Sequence, residues 1–551
     1  MRILVIAIVA VTIMSPMGIV LYQSVLSAPF FMPRAEFSLY AFRYIFTDIA
    51  FYKALGMSFL VAGCMTPISV TIGTAFAFLV VRTDLPGGKW IEPFIMFPMF
   101  ISSIILAFGY VVALGPVGVV SLAVRDLIGF VPWNIYSLQS LIIIAGLTHV
   151  PHVFIYAASA MRNLNSEAEE AARTAGGSPL RVALTISLPM VLPAILYSSV
   201  LLLFLGIELF GLPLILADPA GVMVLSTYLY DLLTFLGSPS YQLMAVVVVV
   251  LMSIAMPLVF IQRMLLRRAD LYVSVKGKAS QQERVKLGAW RWPALAIIVA
   301  WLICSVIIPI AALVMRSFVT TWGEGAVFLD SLTLQHYETL FRHPNLVRGV
   351  INTILMATVG GAVAVAAYTI ISLAVHRWNS GWVRVLDYIA LLPRAMPGIV
   401  AGLSIFWIFL FVAPLRPLRE TLVSVWLAYT MVWLAYGIRM VGMSLMQIDP
   451  ELEEAGRVAG ASSARVRWTV TVPLVRAGLI GCWVLIFVLF AKEYSAGLFL
   501  LGAGSEVIGS MLVSLWGTGA VDLVTTLAVV NIAISGIGVA LMLLVIKPSH
   551  R

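Results

Sequence analysis

Charge is what this chain has least of. Only 11% of its 551 residues are Asp, Glu, Lys or Arg, against 62% hydrophobic, where a soluble domain carries about 25% charged residues. That scarcity excludes a solvated globular surface, and runs of about 20 apolar residues need lipid around them. Cysteine is nearly absent. Cys64, Cys304 and Cys482 each fall in an apolar run, without metal spacing or a disulfide framework, and read as small packing residues. There is no phosphate-binding loop. Gly87-Gly88-Lys89 is followed by Trp90 and lacks the upstream Gly and following Ser or Thr of G-x-x-x-x-G-K-[ST]. There is no clustered acid/base or metal constellation either, which argues against a membrane enzyme. His149 and His152 flank Pro151 and could bind a metal at i, i+3. Without carboxylates or Cys in the same stretch, packing or hydrogen bonding is the better reading.

What is present is a series of apolar spans. They run over about 3–26, 55–81, 94–114, 138–160, 188–216 and 242–261, then 293–314, 350–374, 388–412, 422–445, 474–500 and 523–546. The first is read as an uncleaved helix rather than a signal peptide, because it is too long for an h-region and a matching span opens the second half. Residues 265–292 break the pattern with a run of bases (Arg267, Arg268, Lys276, Lys278 and others). This is a cytoplasmic linker with some attraction to anionic lipid headgroups. The expected organisation is a first repeat at 1–264, the linker at 265–292 and a second repeat at 293–551. The formal charge of +9 belongs to cytoplasmic loops rather than to nucleic-acid binding. The linker, loops 82–92 and 376–387 and the tail carry most of the Lys and Arg, so both termini are expected inside.

The polar interruptions are duplicated. Residues 162–189 contain E-A-A-R-T-A-G-G-S-P-L-R-V-A-L-T-I-S-L-P, from Glu170 to Pro189, and residues 447–473 contain E-A-G-R-V-A-G-A-S-S-A-R-V-R-W-T-V-T-V-P, from Glu454 to Pro473. Upstream, Ser58 aligns with Thr353 and Pro98 with Pro393 at an offset of 295, while the loops align at 284. The first half therefore holds about eleven extra residues, placed around 116–136. An even number of spans per repeat puts both repeats in the same orientation. Each loop should be a short helix, a bend and a second helix entering the membrane. Asn165 or Ser166, and Asp449-Pro450, would open the first helix. Gly176-Gly177 and Gly460 would stop it, and Ser178-Pro179 or Ser462 would restart it. Ala171, Ala172, Ala455 and Gly456 leave a smooth face for another protein, and Glu170 and Glu454 offer it an acceptor.

The pattern E-A-A, three residues, G, nine residues, I-x-L-P resembles the coupling-loop signature of permease subunits of binding-protein-dependent ABC importers. The first copy meets every anchor at Glu170, Ala171, Ala172, Gly176, Ile186, Leu188 and Pro189. The second departs at Gly456, Val470 and Val472, which puts the equivalence of the two loops in doubt. The resemblance covers nearly the whole chain, one permease per half. It implies an all-α integral membrane protein of twelve transmembrane helices, two parallel six-helix repeats, in the type I importer fold. It also implies an inner-membrane location and a periplasmic substrate-binding protein. A separate cytoplasmic ATPase, in two copies, would use the ATP and dock at Glu170, Ala171, Ala172, Gly176, Glu454, Ala455, Gly456 and Gly460. The chain itself would be no enzyme and bind no cofactor.

Three further stretches are similar to the ferric-iron importer group: those around Glu208, around Arg394-Ala395-Met396-Pro397, and from Lys492-Glu493 to Glu506. Related permeases for 2-aminoethylphosphonate, thiamine or polyamines share much of them. Glu208 and Glu493 are equivalent positions in the fifth span of each half. They lie 19 and 20 residues beyond Pro189 and Pro473, roughly 28–30 Å along a helix. The pair could line an axial pathway for a cation or accept hydrogen bonds locally, and Lys492 weakens a purely cationic reading. Arg394 lies between Pro393 and Pro397, where a kinked helix could line a cavity, or it could snorkel inward. An ion-coupled secondary transporter, which predicts no matched loops, is the rival class.

Overall fold

The computed structural model describes all residues except Met1, 165–166, 235–239, 270–283, 327, 378–388, 390–392, 394–395 and 547–551. Lipid offers backbone groups no hydrogen-bond partners, so a chain this apolar must satisfy them within helices. Among the described residues the structure is helical, with only isolated bridges such as Leu26 to Phe37 and Thr83 to Val285 outside the helices.

Among the described residues nine helices are long and apolar enough to cross a membrane, from Ile49–Arg82 to Val521–Met542, and ten if the bent pair Leu422–Val432 and Leu434–Met446 is one span. The expected count of twelve is not confirmed exactly, and the ninth expected span, about 388–412, falls partly outside the described residues. The first helix, Arg2–Ser24, has 23 residues and is apolar, and Gly398–Phe411 is apolar but shorter. Two expected spans also end early. The helix of the fifth stops at Ile207, not 216, and that of the eleventh at Lys492, not 500. Apolarity continues past both ends, but the chain turns back into short segments, Gly211–Leu216 and Leu225–Thr234 in the first repeat and Ile508–Gly517 in the second. The extra residues of the first repeat hold the helix Val119–Ile128. Residues 270–283 of the expected linker lie outside the described residues.

By contact the chain forms two compact units, Met1–Arg43 with Tyr241–Val249 and Thr333–Arg551, and Tyr44–Ser240 with Val250–Leu332. The units cut across the sequence repeats. In the first, helix Arg2–Ser24 packs on Gly398–Phe411; in the second, Ile308–Ser317 packs on Ser103–Leu114. A Cβ at Gly109 would stand 2.5 Å from the Pro309 carbonyl oxygen, so the second contact is close at backbone level.

The repeats share polar devices that no periodicity shows. The fourth span breaks at His149 and its counterpart at Trp433, 284 residues on. Three residues before each break, a carbonyl accepts from a side chain of the second span of its own repeat: Ser69 Oγ donates to Gly146 O at 2.6 Å, and the Tyr368 hydroxyl to Thr430 O at 2.7 Å. Broken helices persist in lipid where neighbours satisfy the backbone in this way.

Candidate coupling loops and pathway

Each loop is built as its residues suggest. Helix Glu167–Thr174 is followed by Gly176 at φ +87°, then Pro179–Val182. Helix Pro450–Val458 is followed by Gly460 at φ +86°, then Ser463–Val466. A left-handed residue after a helix closes the last carbonyls: Gly177 N–H donates to Ala172 O at 2.9 Å, and Ala461 N–H to Gly456 O at 3.1 Å. The Asp449 side chain caps Glu451 N–H, and Ser178 and Ser462 face Arg181 N–H and Arg465 N–H at 3.4 and 3.3 Å. Asn165 and Ser166 lie outside the described residues.

Glu170, Ala171 and Gly176 are exposed, as are Glu454, Ala455 and Gly460, while Ala172 and Gly456 are half-buried. Val458 is 89% exposed and Trp468 73%. Glu454 meets Arg457 at 3.7 Å, a surface pair of small energetic value.

The neighbouring glutamates behave differently, and sequence reasoning passed over them. Glu169 is buried, pairs with the buried Arg82 at the end of Ile49–Arg82, and accepts from Ser187 Oγ at 2.6 Å. In the second repeat Glu453 accepts from the buried Thr471 Oγ1 at 3.0 Å. Both hydroxyls end a single π-helical turn, Ala183–Ser187 and Arg467–Thr471. The available signal was the E-E doublet repeated at an offset of 284.

At the other end of these spans, Glu208 and Glu493 are the C-cap residues of Leu188–Ile207 and Val472–Lys492. Glu208 is half-buried. Glu493 is buried, and its Oε1 accepts from Ser495 Oγ at 2.8 Å and from the Ser495 and Ala496 amides at 3.0 and 3.2 Å. Pro397 caps the start of Gly398–Phe411, and a Cβ on Gly398 would lie 3.5 Å from Glu493 Oε1. Gly398, the residue after Pro397, thus lies beside Glu493. Arg394 lies outside the described residues. His149 and His152 stack at 5.3 Å, with His149 Nδ1 2.8 Å from Ala145 O, and no group of three candidate metal ligands occurs among the described residues. Further out, Glu506 accepts from Arg348 Nε and Nη2, both at 2.9 Å, and from Gly504 N–H at 2.9 Å. Burial alone would raise its pKa, but these bonds hold it below the usual range. In the first repeat, burial and the nearby Asp231 raise the Asp218 carboxyl.

Residues 65–271 match the family described as the binding-protein-dependent transport system inner membrane component. Residues 65–271 are such a component. The match includes the whole first loop. A ferric transport system permease protein of Actinobacillus pleuropneumoniae is 24% identical over 464 residues, 83% of this chain. The chain spans 65% of that relative's length, just under two thirds. A protein of Sinorhizobium fredii named as a probable ABC transporter permease is 27% identical over 460 residues, 80% of this chain and 78% of that one. Such alignments exceed half the chain and so cross both repeats, as a fused double permease requires. A putrescine transport system permease protein of Escherichia coli is 23% identical over 218 residues, 37% of this chain and 74% of that protein.

Proposed function

We propose that this permease forms the translocation pathway of an ATP-driven importer in a bacterial inner membrane, with both termini in the cytoplasm. A periplasmic binding protein delivers the solute, and two copies of a separate cytoplasmic ATPase dock at the two loops. The observation that carries this reading is the pair of loops, each presenting an exposed glutamate, Glu170 or Glu454, on a short helix that ends at a left-handed glycine. The matched pair also counts against the ion-coupled secondary transporter.

Ferric iron is the solute favoured here, supported by the iron-group stretches and by the name of the Actinobacillus relative. The second reading is a small organic solute. The putrescine permease relative favours it, and so does Glu493, whose carboxylate is engaged by its own loop.

The test is reconstitution with the companion ATPase and candidate binding proteins. ATP hydrolysis stimulated by an iron-loaded binding protein supports iron; stimulation only by an organic-solute binder sinks it. Glu170→Ala with Glu454→Ala should abolish transport while membrane insertion stays normal. Transport at the wild-type rate in that double variant would overturn the coupling assignment.

A further inference from the structure

Glu169 and Glu453 stand one residue before the exposed glutamates, yet they face the other way. Glu169 reaches Ser187, and Glu453 reaches Thr471. Both bonds span 18 residues, and their partners match at an offset of 284. The two copies of this side-chain bond have a Ser in one and a Thr in the other, so the hydroxyl is what they share.

The surroundings say why such a bond matters. The loop helices have eight and nine residues, and isolated helices below about 12 residues are marginal in water. Their direction must therefore be set by tethers. Gly176 and Gly460 sit in left-handed turns between each loop helix and the span it precedes, so the backbone connection alone is a bend. Each tethering hydroxyl lies at the last residue of a π turn, a feature that commonly marks functional positions. In the first repeat Arg82 adds a third element, and both members of the pair are buried. Removing one partner of a buried pair leaves an uncompensated charge, so this tether is stiff.

We propose that Glu169 and Glu453 are positioning residues that lock each loop helix to its fifth span, so that helix and span move as one lever. Glu170 and Glu454 then hold the partner, and their neighbours pass its displacement into the membrane. The proposal rests on the importer reading for its purpose, but the lock can be measured without it.

In the full chain, with Cys64, Cys304 and Cys482 replaced by alanine, nitroxides are placed at the exposed Thr174→Cys and Leu192→Cys in lipid vesicles. Wild type should give a narrow distance distribution. Glu169→Ala and Ser187→Ala should broaden it, and Ser187→Thr, which restores a hydroxyl, should narrow it again. A narrow distribution in Ser187→Ala overturns the lock. In the assembled transporter, Ser187→Ala with Thr471→Val should still retain the ATPase but lower solute moved per ATP at least tenfold, and Ser187→Thr with Thr471→Ser should recover it. An unchanged ratio in the first pair overturns the lever. If wild type retains no ATPase, the importer reading fails while the distance measurement still decides the lock. Should Glu169→Ala fail to insert, the hydroxyl variants carry the test.

Discussion

Tyr368 occupies the space that a side chain at Gly437 would fill: a Cβ there would overlap the phenol ring. In the first repeat the same two positions are Gly73 and Val153, and a Cβ at Gly73 would lie 2.7 Å from Val153 Cβ. Bulk and gap have changed sides between the repeats. Gly437→Val should destabilise by at least about 1–3 kcal/mol through overpacking, and Tyr368→Gly alone by about 3–5 kcal/mol. Combined, they recreate the first-repeat pairing and should cost clearly less than their sum. Thermal midpoints of the purified variants check this, and strict additivity would count against it.

The left-handed glycines of the loops give a second expectation. Gly176→Ala and Gly460→Ala should each cost about 1–2 kcal/mol and loosen the preceding helix. Amide hydrogen exchange in Glu167–Thr174 and Pro450–Val458 should quicken in the matching variant, and unchanged rates would refute the prediction.

A third concerns two matched caps. Ser58 Oγ accepts from Leu225 N–H at 2.8 Å, and Thr353 Oγ1 from Ile508 N–H at 2.9 Å. Each starts one of the short helices beyond the fifth span. Ser58→Ala and Thr353→Val leave a buried donor unsatisfied, so each should lose about 1–3 kcal/mol. Chemical denaturation in micelles reads the loss, and a neutral result in either repeat would show that the cap is dispensable.

Glu506 sets a pH dependence. Its folded pKa is lowered, so its stabilising contribution is fully present above the ordinary glutamate value of about 4.3 and is lost as pH falls through the lower folded value. The gap in thermal midpoint between wild type and Glu506→Gln should hold at neutral pH and close only below about pH 4. Closure between about pH 5 and 7 would mean that Arg348 does not hold the carboxylate as described.

The loops were the most legible part of the sequence, because glycine, proline and capping residues act through local chemistry. The helix–bend–helix of Glu167–Thr174, Gly176 and Pro179–Val182 follows from them directly. The ends of the fifth and eleventh spans were not legible, because hydropathy cannot tell a helix that continues from apolar chain that folds back, as it does after Glu208. Glu169 escaped notice for another reason. Its burial depends on Arg82 and Ser187, which are brought beside it only by the packed fold.

The two units do not follow the order of synthesis. The unit around Ile49–Arg82 also includes Ile308–Ser317, so its last wall emerges from the ribosome only after residues 265–292 have been made. The other unit takes its first helix from residues 2–24 and its last from Val521–Ile546. A chain cut within the linker would yield two fragments, each holding a helix that belongs to the other's core. Fusion therefore fixes the two at equal number and keeps each opening helix from waiting for a partner made elsewhere.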